Sequence, residues 1–233
     1  MIHVNNLTKK YGHKEVLKNI TVEFSEGKIY GLTGTNGCGK TTLMRCICGF
    51  SRPTTGYVVV NECLVGNKAV LRCNPELRNS AAPPYKTMAD FAPSTGVIIE
   101  SPGFLPNESG LKNLLLLANM SGFADRVSAR EAMITLGLDP DDKKPVGKYS
   151  LGQRQRLGFA QAFMENPDVL ILDEPFNAMD KASMEEVHDL LQKFKAQGKI
   201  IILASHSAAD IQKACDVVYE MENGELTLAS QKA

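Results

Sequence analysis

Residues 34–42 read GTNGCGKTT, a stretch with three glycines and a single lysine. Main chain without side chains can wrap around a phosphate and direct several N–H groups at it, and the amino terminus of a following helix adds about half a positive charge. The stretch follows the apolar run KIYGL and precedes apolar residues at helical spacing, the context of a phosphate-binding loop. It predicts binding of a nucleotide triphosphate with Mg²⁺ through Gly34, Thr35, Asn36, Gly37, Cys38, Gly39, Lys40, Thr41 and Thr42.

An apolar strand that ends in two carboxylates is the usual companion of such a loop. Residues 169–175 read VLILDEP, so Asp173 and Glu174 follow four apolar residues. Burial of two adjacent carboxylates without a counter-charge is costly, which favours a cation beside them. Asp173 is expected to hold Mg²⁺ and Glu174 to polarise the attacking water, while Lys40 reaches the β- and γ-phosphates. The two motifs together predict nucleotide hydrolysis.

Further motifs flank this strand in a fixed order. YSLGQRQRLGFAQAFMENP precedes it, and NAMD (residues 177–180) and then ILASHS follow it. The ordered series resembles the ATP-binding subunits of ABC transporters over nearly the whole chain. In that family two subunits enclose two ATP molecules, and the signature sequence of one contacts the γ-phosphate held by the other. The resemblance implies roles for Ser150, Gly152 and Gln153 in the signature, Asp180 across the dimer, His206 at the γ-phosphate and Tyr11 against adenine.

Two positions depart from the pattern of the family. Leu151 replaces the first glycine of the usual Leu-Ser-Gly-Gly-Gln, and Glu100, in VIIESPGF, stands where the family normally has a glutamine that contacts Mg²⁺ and senses the membrane subunit. The glutamate pattern is similar to the branch associated with export of, or immunity to, lantibiotics and related peptide antibiotics. The resemblance therefore makes Glu100 a metal contact with Thr41 and Asp173. Repulsion among the carboxylates is expected to raise at least one carboxyl pKa when the metal is absent.

The strands that must position these motifs are visible as short apolar or β-branched runs. They are predicted at residues 20–24, 28–32, 57–60, 97–99, 169–172, 200–204 and 217–221. Their alternation with helices predicts a largely parallel sheet, and IHVNNL, ITVEF and GYVVV near the start indicate an antiparallel layer beside it. The expected fold is therefore α/β, a P-loop NTPase of the ABC ATPase type with a mostly parallel RecA-like sheet, an antiparallel β layer and an inserted helical subdomain.

Helical periodicity completes the expected architecture. Apolar residues at three- and four-residue steps predict a helix over 184–194 that ends by Gly198, and Ser128 is expected to cap a second helix that stops near Gly137. Strand signals are lacking between about residues 100 and 160. The chain is thus predicted to be one domain, with a core of about 1–100 and 161–233 and a helical subdomain of about 101–160, and the proline-containing segment 72–95 is expected to be an irregular loop.

Composition excludes several classes of protein. The 233 residues carry 26 basic and 26 acidic side chains, so no net field favours nucleic acid or an anionic membrane surface. The run LLLLA at 114–118 is far shorter than the roughly 20 residues that span a bilayer. The amino-terminal residues MIHVNNLTKKYG lack an apolar stretch of the signal-peptide type. A cytoplasmic location with six reduced core cysteines is therefore expected.

The expected function is that of an ATP-hydrolysing subunit that powers a separate membrane-spanning permease. Such a subunit is peripheral on the inner face of the cell membrane and pairs with a second ATP-binding subunit, most simply a copy of itself. The resemblance implies a docking groove for the permease near residues 100–107. A soluble ABC ATPase that acts in an assembly or regulatory complex is the alternative, and neutral charge without basic extensions counts against a nucleic-acid partner.

Overall fold

The structure is a computed structural model that describes residues 1–74, 77, 83–100, 103–177 and 179–232. Two sheets organise this part of the chain. The strands are β1 (Ile2–Tyr11), β2 (Lys14–Phe24), β3 (Lys28–Thr33), β4 (Thr55–Val60), β5 (Cys63–Val65), β6 (Thr87–Ala89), β7 (Thr95–Ile98), β8 (Val169–Asp173), β9 (Ile200–Ala204), β10 (Val217–Glu222) and β11 (Glu225–Gln231). The described helices are α1 (Lys40–Cys48), α2 (Asn67–Cys73), α3 (Gly110–Ser121), α4 (Arg126–Thr135), α5 (Leu151–Phe163), α6 (Lys181–Ala196) and α7 (Ala208–Ala214).

The six-stranded sheet has the order β11-β10-β3-β9-β8-β7. Five of its strands run parallel, and β11 pairs antiparallel with β10 at one edge. The central strands are apolar and buried on both faces, as expected for a parallel sheet covered by helices. Six of the seven predicted strand segments lie wholly within strands of the structure, and β9 has the predicted bounds; the segment 97–99 runs one residue past the end of β7 at Ile98.

The five-stranded sheet has the order β2-β1-β4-β5-β6. The strand β1 pairs antiparallel with both β2 and β4, which confirms the antiparallel layer. The strands β5 and β6 have three residues each and were not predicted. The segment 72–95 is therefore not wholly irregular, because it contains the end of α2 and all of β6; residues 75, 76 and 78–82 of that segment lie outside the described residues.

Two apolar cores lie on opposite faces of the six-stranded sheet. One core packs between the two sheets and encloses Leu43, Met44 and Ile47 of α1, which are fully buried. The other core joins the opposite face of the sheet to helices α3 to α7. The first core fixes α1 against the ends of the parallel strands, where the phosphate loop precedes it.

The helices α3, α4 and α5 lie between β7 and β8, where strand signals are lacking in the sequence. One helix boundary was predicted wrongly: α4 begins at Arg126 with Asp125 as its N-cap, and Ser128 is the third helical residue of the same capping box. Asp125 is the N-cap because its carboxylate accepts hydrogen bonds from the N–H groups of both Val127 and Ser128. We propose that the helical subdomain covers about residues 101–160 and the core the rest of the chain; the last helix of the subdomain, α5, continues to Phe163.

In the described part of the chain, none of the helices is long and apolar enough to cross a membrane. All six cysteines are free, and five of them are buried. Cys73, at the end of α2, is exposed, so the expectation that all six are core thiols was wrong for that residue.

Candidate nucleotide-binding site

The phosphate loop lies between the end of β3 at Thr33 and the start of α1 at Lys40. Gly34 has φ 136° and Gly39 has φ 121°, in the region that favours glycine. A Cβ atom on Gly34 would lie 2.2 Å from the main-chain oxygen of Met221, so no larger residue fits there. Lys40 is almost fully buried, and its Nζ donates to the main-chain oxygens of Gly34 at 2.7 Å and Thr35 at 3.2 Å. The loop is thus compact main chain with one ammonium group against it.

The hydroxyl of Thr41 connects this loop to the strand that ends in carboxylates. Its Oγ1 donates to Oδ2 of Asp173, at the end of β8, over 2.5 Å. Burial raises the pKa of the Asp173 carboxyl; the charges of Glu174 and Glu100 add to this rise, and the Thr41 bond and Lys40 oppose it. The predicted rise in a carboxyl pKa thus falls on Asp173. A half-buried carboxylate of this kind is stabilised by a cation.

Glu174 and His206 come together at the ends of two neighbouring strands. The Glu174 main-chain N–H donates to the Ala204 oxygen at 2.9 Å, which joins the ends of β8 and β9. Glu174 has φ 48°, a left-handed backbone conformation that residues other than glycine rarely adopt. Its Oε2 lies 2.9 Å from Nδ1 of His206. The two residues that sequence reasoning placed around the attacking water therefore contact each other.

A small cleft of about 200 Å³ brings the phosphate loop and the carboxylates together. It is lined by Val16, Asn36, Gly37, Gly39, Lys40, Thr41, Thr42, Asp173 and Glu174. The cleft offers N–H groups, one ammonium, hydroxyls and carboxylates, which are the groups that a metal-bound triphosphate needs.

Glu100 follows β7 and contacts a residue that the sequence analysis missed. Its Oε1 accepts a bond from Nη2 of Arg45, in the last turn of α1, at 2.5 Å. No cluster of three or more histidine, cysteine or acidic side chains within the described residues is arranged to hold a metal ion by itself. The spacing of Arg45 four residues after Thr41 was the signal that could have found it, because residues four apart share a helix face.

Tyr11 ends β1 at the surface, with half of its area exposed. Its hydroxyl lies 3.2 Å from Oγ of Ser51, and Nζ of Lys9 lies 4.7 Å from the centre of its ring. The ring is therefore fixed at its hydroxyl end and next to a cation, with exposed area left for a flat ligand.

The signature residues lie at the amino terminus of α5, and they contact one another. Ser150 is the N-cap: its Oγ accepts from the Gln153 N–H at 3.1 Å, while Gln153 Oε1 accepts from the Ser150 N–H at 3.0 Å. Gly152 lies in the first turn, and Leu151 is 62% exposed. Ser150, Gly152 and Gln153 do not line the cleft described above. Within one chain, the structure does not bring the signature to the phosphate loop.

Asp180, at the end of NAMD, is the N-cap of α6. Its Oδ1 accepts from the main-chain N–H of Ser183 at 2.8 Å and from the Ser183 hydroxyl at 2.9 Å. These bonds, the main-chain one first, lower the pKa of the Asp180 carboxyl. Ala178, the second residue of NAMD, lies outside the described residues.

Comparison with known proteins agrees with this arrangement. The family model for ABC transporters matches residues 17–177. An uncharacterized ABC transporter ATP-binding protein of Bacillus subtilis, YybJ, is 38% identical over 97% of this chain and 94% of its own length. The chain belongs to the ABC transporter family, and it is an ATP-binding, ATP-hydrolysing subunit.

Two relatives carry names that concern antibiotics. The bacitracin transport ATP-binding protein BcrA of Enterococcus faecalis is 36% identical over 97% of this chain and 68% of its own length. The lantibiotic transport ATP-binding protein SrtF of Streptococcus pyogenes is 30% identical over 99% of this chain and 91% of its own length. The family prediction is confirmed, and transport-type relatives favour it over the soluble alternative.

A solved structure supports the fold. The dimeric structure of a bacterial ABC transporter cassette matches all of this chain and 99% of its own, with a TM-score of 0.82 and 21% identity. The expected ABC ATPase fold is confirmed.

Proposed function

We propose that this chain hydrolyses MgATP in the cleft beside Thr41 and Asp173, with Glu174 as general base. The observation that carries the proposal is the contact of His206 with Glu174, which lines the same cleft as the phosphate loop. Glu174 takes the proton from a water that attacks the γ-phosphorus, and the bond from phosphorus to the β,γ-bridging oxygen breaks to leave ADP. His206 orients Glu174 and the γ-phosphate. Lys40 exchanges its bonds to loop oxygens for bonds to phosphate.

The donor set of the cleft fits Mg²⁺. The ion prefers oxygen ligands and is usually held by one or two carboxylates together with substrate phosphates, rather than by a cage of protein groups alone. Thr41 and Asp173 supply a hydroxyl and a carboxylate 2.5 Å apart, and burial raises the pKa of the Asp173 carboxyl, an effect that a bound cation would offset. We assign these two residues and Glu100 as the metal contacts. Bound Mg²⁺ would offset the negative charge of the β- and γ-phosphates.

The signature residues act in our proposal on a second ATP, held by another subunit. Support comes from the position of Ser150, Gly152 and Gln153 away from the cleft of their own chain, at a helix amino terminus suited to an anion. Asp180, at the start of α6, contacts the same partner in this proposal. Two copies of this chain would then enclose two ATP molecules, with adenine stacked on Tyr11.

The membrane partner is a permease in this proposal, and the cargo is a peptide antibiotic of the bacitracin or lantibiotic type. A cleft of about 400 Å³ beside α3 and β7 supports docking, because its lining includes the apolar side chains of Phe50, Leu117 and Met120. Phe50 also contacts Phe91, and both are more than half exposed. Leu105, within the expected groove at 100–107, is half exposed; residues 101 and 102 of that range lie outside the described residues. The ATPase would thus be held on the cytoplasmic face of the membrane.

The first test is Glu174→Gln. Loss of the base is expected to slow hydrolysis by about 10²- to 10⁴-fold while ATP stays bound and the dimer accumulates. Hydrolysis is followed by phosphate release, and the dimer by light scattering in MgATP. A mutant that turns over ATP near the wild-type rate would remove Glu174 from its role. Co-purification with a membrane protein separates the transporter subunit from a soluble ABC ATPase.

A further inference from the structure

The ion pair between Arg45 and Glu100 joins α1 to the end of β7. The contact is short, 2.5 Å between Nη2 and Oε1. Arg45 and Thr41 are one helical turn apart, so both lie on one face of α1. Thr41 contacts Asp173 at the end of the neighbouring strand β8. One face of the helix that follows the phosphate loop therefore contacts the ends of two adjacent strands.

Glu100 is the third carboxylate at this edge of the sheet. The strands β7 and β8 are parallel, with Ile98 opposite Leu172, so they end side by side. The Glu100 charge contributes to the raised pKa of Asp173, after burial and the charge of Glu174. A third negative charge next to the place of a triphosphate opposes nucleotide binding unless a cation offsets it. Arg45 is the cation in contact with it.

The main chain at Glu100 gives a second reason for a fixed partner. Glu100 has φ 62°, in the left-handed region that residues other than glycine and asparagine rarely adopt. A side chain on such a bend needs contacts elsewhere to hold it in one place. The bond to Arg45 is the contact that the structure provides.

We propose that Arg45 is a positioning residue for Glu100. Before Mg²⁺ binds, its guanidinium holds the Glu100 carboxylate beside the end of β8 and offsets its charge. To reach that carboxylate, Mg²⁺ has to displace the guanidinium. The inference rests on the proposed function, because it takes Glu100 to be a metal contact. It goes further in that a glutamate at position 100 and an arginine at position 45 act as one unit, whereas a neutral amide at position 100 would not need the arginine.

The test is the Mg²⁺ concentration that gives half-maximal binding of a fluorescent, non-hydrolysable ATP analogue to the full chain. Arg45→Gln removes the competing cation, so the midpoint concentration is expected to fall about threefold, the scale of an exposed ion pair. Combined with Glu100→Gln, which removes the contested carboxylate, Arg45→Gln is expected to cause no further change. Arg45→Lys keeps the charge but loses the planar fork of donors, so a smaller fall is expected.

A matched control is Arg130→Gln. It breaks the surface ion pair between Arg130, on α4, and Asp141, and it is expected to leave the Mg²⁺ midpoint concentration unchanged. Equal shifts from Arg45→Gln with and without Glu100→Gln, or no shift at all, would overturn the inference. Wild-type chain that binds the analogue without any need for Mg²⁺ would instead overturn the proposed function. Thermal unfolding checks that each variant is folded, and Arg45→Lys with and without Glu100→Gln carries the test if Arg45→Gln does not fold.

Discussion

The phosphate loop and the signature sequence both precede a helix, yet the two helix ends differ. The helix α1 has Gly39 as its N-cap, and no side chain accepts from its first N–H groups. The helix α5 has Ser150 as its N-cap, inside a reciprocal capping box with Gln153. An uncapped helix amino terminus is an open site for an anion, whereas a capped one is already partly satisfied. The α1 end therefore offers its first N–H groups to a phosphate, whereas at the α5 end Ser150 already accepts from the N–H of Gln153.

This difference separates the residues expected to set nucleotide affinity from those expected to act only when two subunits assemble. The groups around α1 contact one another within the chain, so we expect a single chain to hold nucleotide there. Ser150 keeps its cap in the single chain, and its hydroxyl proton remains available for a phosphate oxygen of another subunit. Changes around α1 are expected to affect nucleotide binding, and changes at α5 to affect only steps that require two subunits.

The sharpest test of this separation is Ser150→Ala. Removal of one hydrogen-bond donor to a reacting phosphate is expected to lower hydrolysis by about 10²-fold, while nucleotide binding to the single subunit stays unchanged. Steady-state phosphate release and equilibrium binding of a fluorescent ATP analogue measure the two effects.

The mutation also removes a helix cap, which costs about 1 kcal/mol by itself. Ser109→Ala is the matched control, because Ser109 caps α3 by accepting from the Lys112 N–H at 3.4 Å and has no place in the signature. It should lose stability and keep hydrolysis. Weaker nucleotide binding by Ser150→Ala in a single subunit would mean that the two helix ends are not separate.

A smaller effect is expected from Tyr11→Ala, which changes the part of the site that binds nucleotide without a second subunit. Loss of a stacked base costs about 1 to 3 kcal/mol, so affinity for the ATP analogue is expected to fall about tenfold. Tyr11→Phe keeps the ring and loses only the contact with Ser51, so near wild-type affinity is expected. Fluorescence titration of both variants provides the measurement. Unchanged affinity in Tyr11→Ala would exclude this ring from the nucleotide site.

Much of this arrangement could be predicted because its signals are local in sequence. The phosphate loop, the VLILDEP strand and the strand at 200–204 each carry their own pattern of glycine, apolar or acidic residues. The strands β5 and β6 could not be predicted, since three residues are too few for a period of two to appear. The strand β11 is mostly exposed and so lacks an apolar run.

The contacts that were not predicted depend on which of several suitable side chains makes the hydrogen bond or the ion pair. Asp125 and Ser128 are both good N-caps, and only the main-chain geometry places Asp125 first. The pairing of Arg45 with Glu100 joins residues 55 positions apart. The spacing of Arg45 after Thr41 shows which face of α1 it lies on, but the order of strands in the sheet decides which carboxylate it contacts.

The smallest predicted effect concerns the stacked side chains of Phe176 and His188. Phe176 follows Glu174 closely and stacks on His188 of α6, with ring centres 4.6 Å apart and planes at 23°. Burial lowers the pKa of His188; Lys213 adds to this, and Asp210, Asp189 and Glu185 oppose it. The folded protein therefore keeps His188 neutral below the ordinary pKa of 6.5, where the unfolded chain takes up a proton.

Because the unfolded chain binds more protons, the contribution of His188 to stability is present above pH 6.5 and is lost as pH falls from there toward the lower folded pKa. His188→Phe keeps an aromatic ring against Phe176 and cannot titrate, so its unfolding midpoint is expected to fall less on acidification than that of the wild type. Denaturant unfolding on both sides of pH 6.5 measures the difference, with His13→Phe at an exposed position as the control. Hydrolysis at neutral pH should change little, since the wild-type ring is neutral there and the variant keeps an uncharged aromatic ring in its place. Equal pH dependence in His188→Phe and wild type would mean that burial does not lower the pKa of the His188 ring.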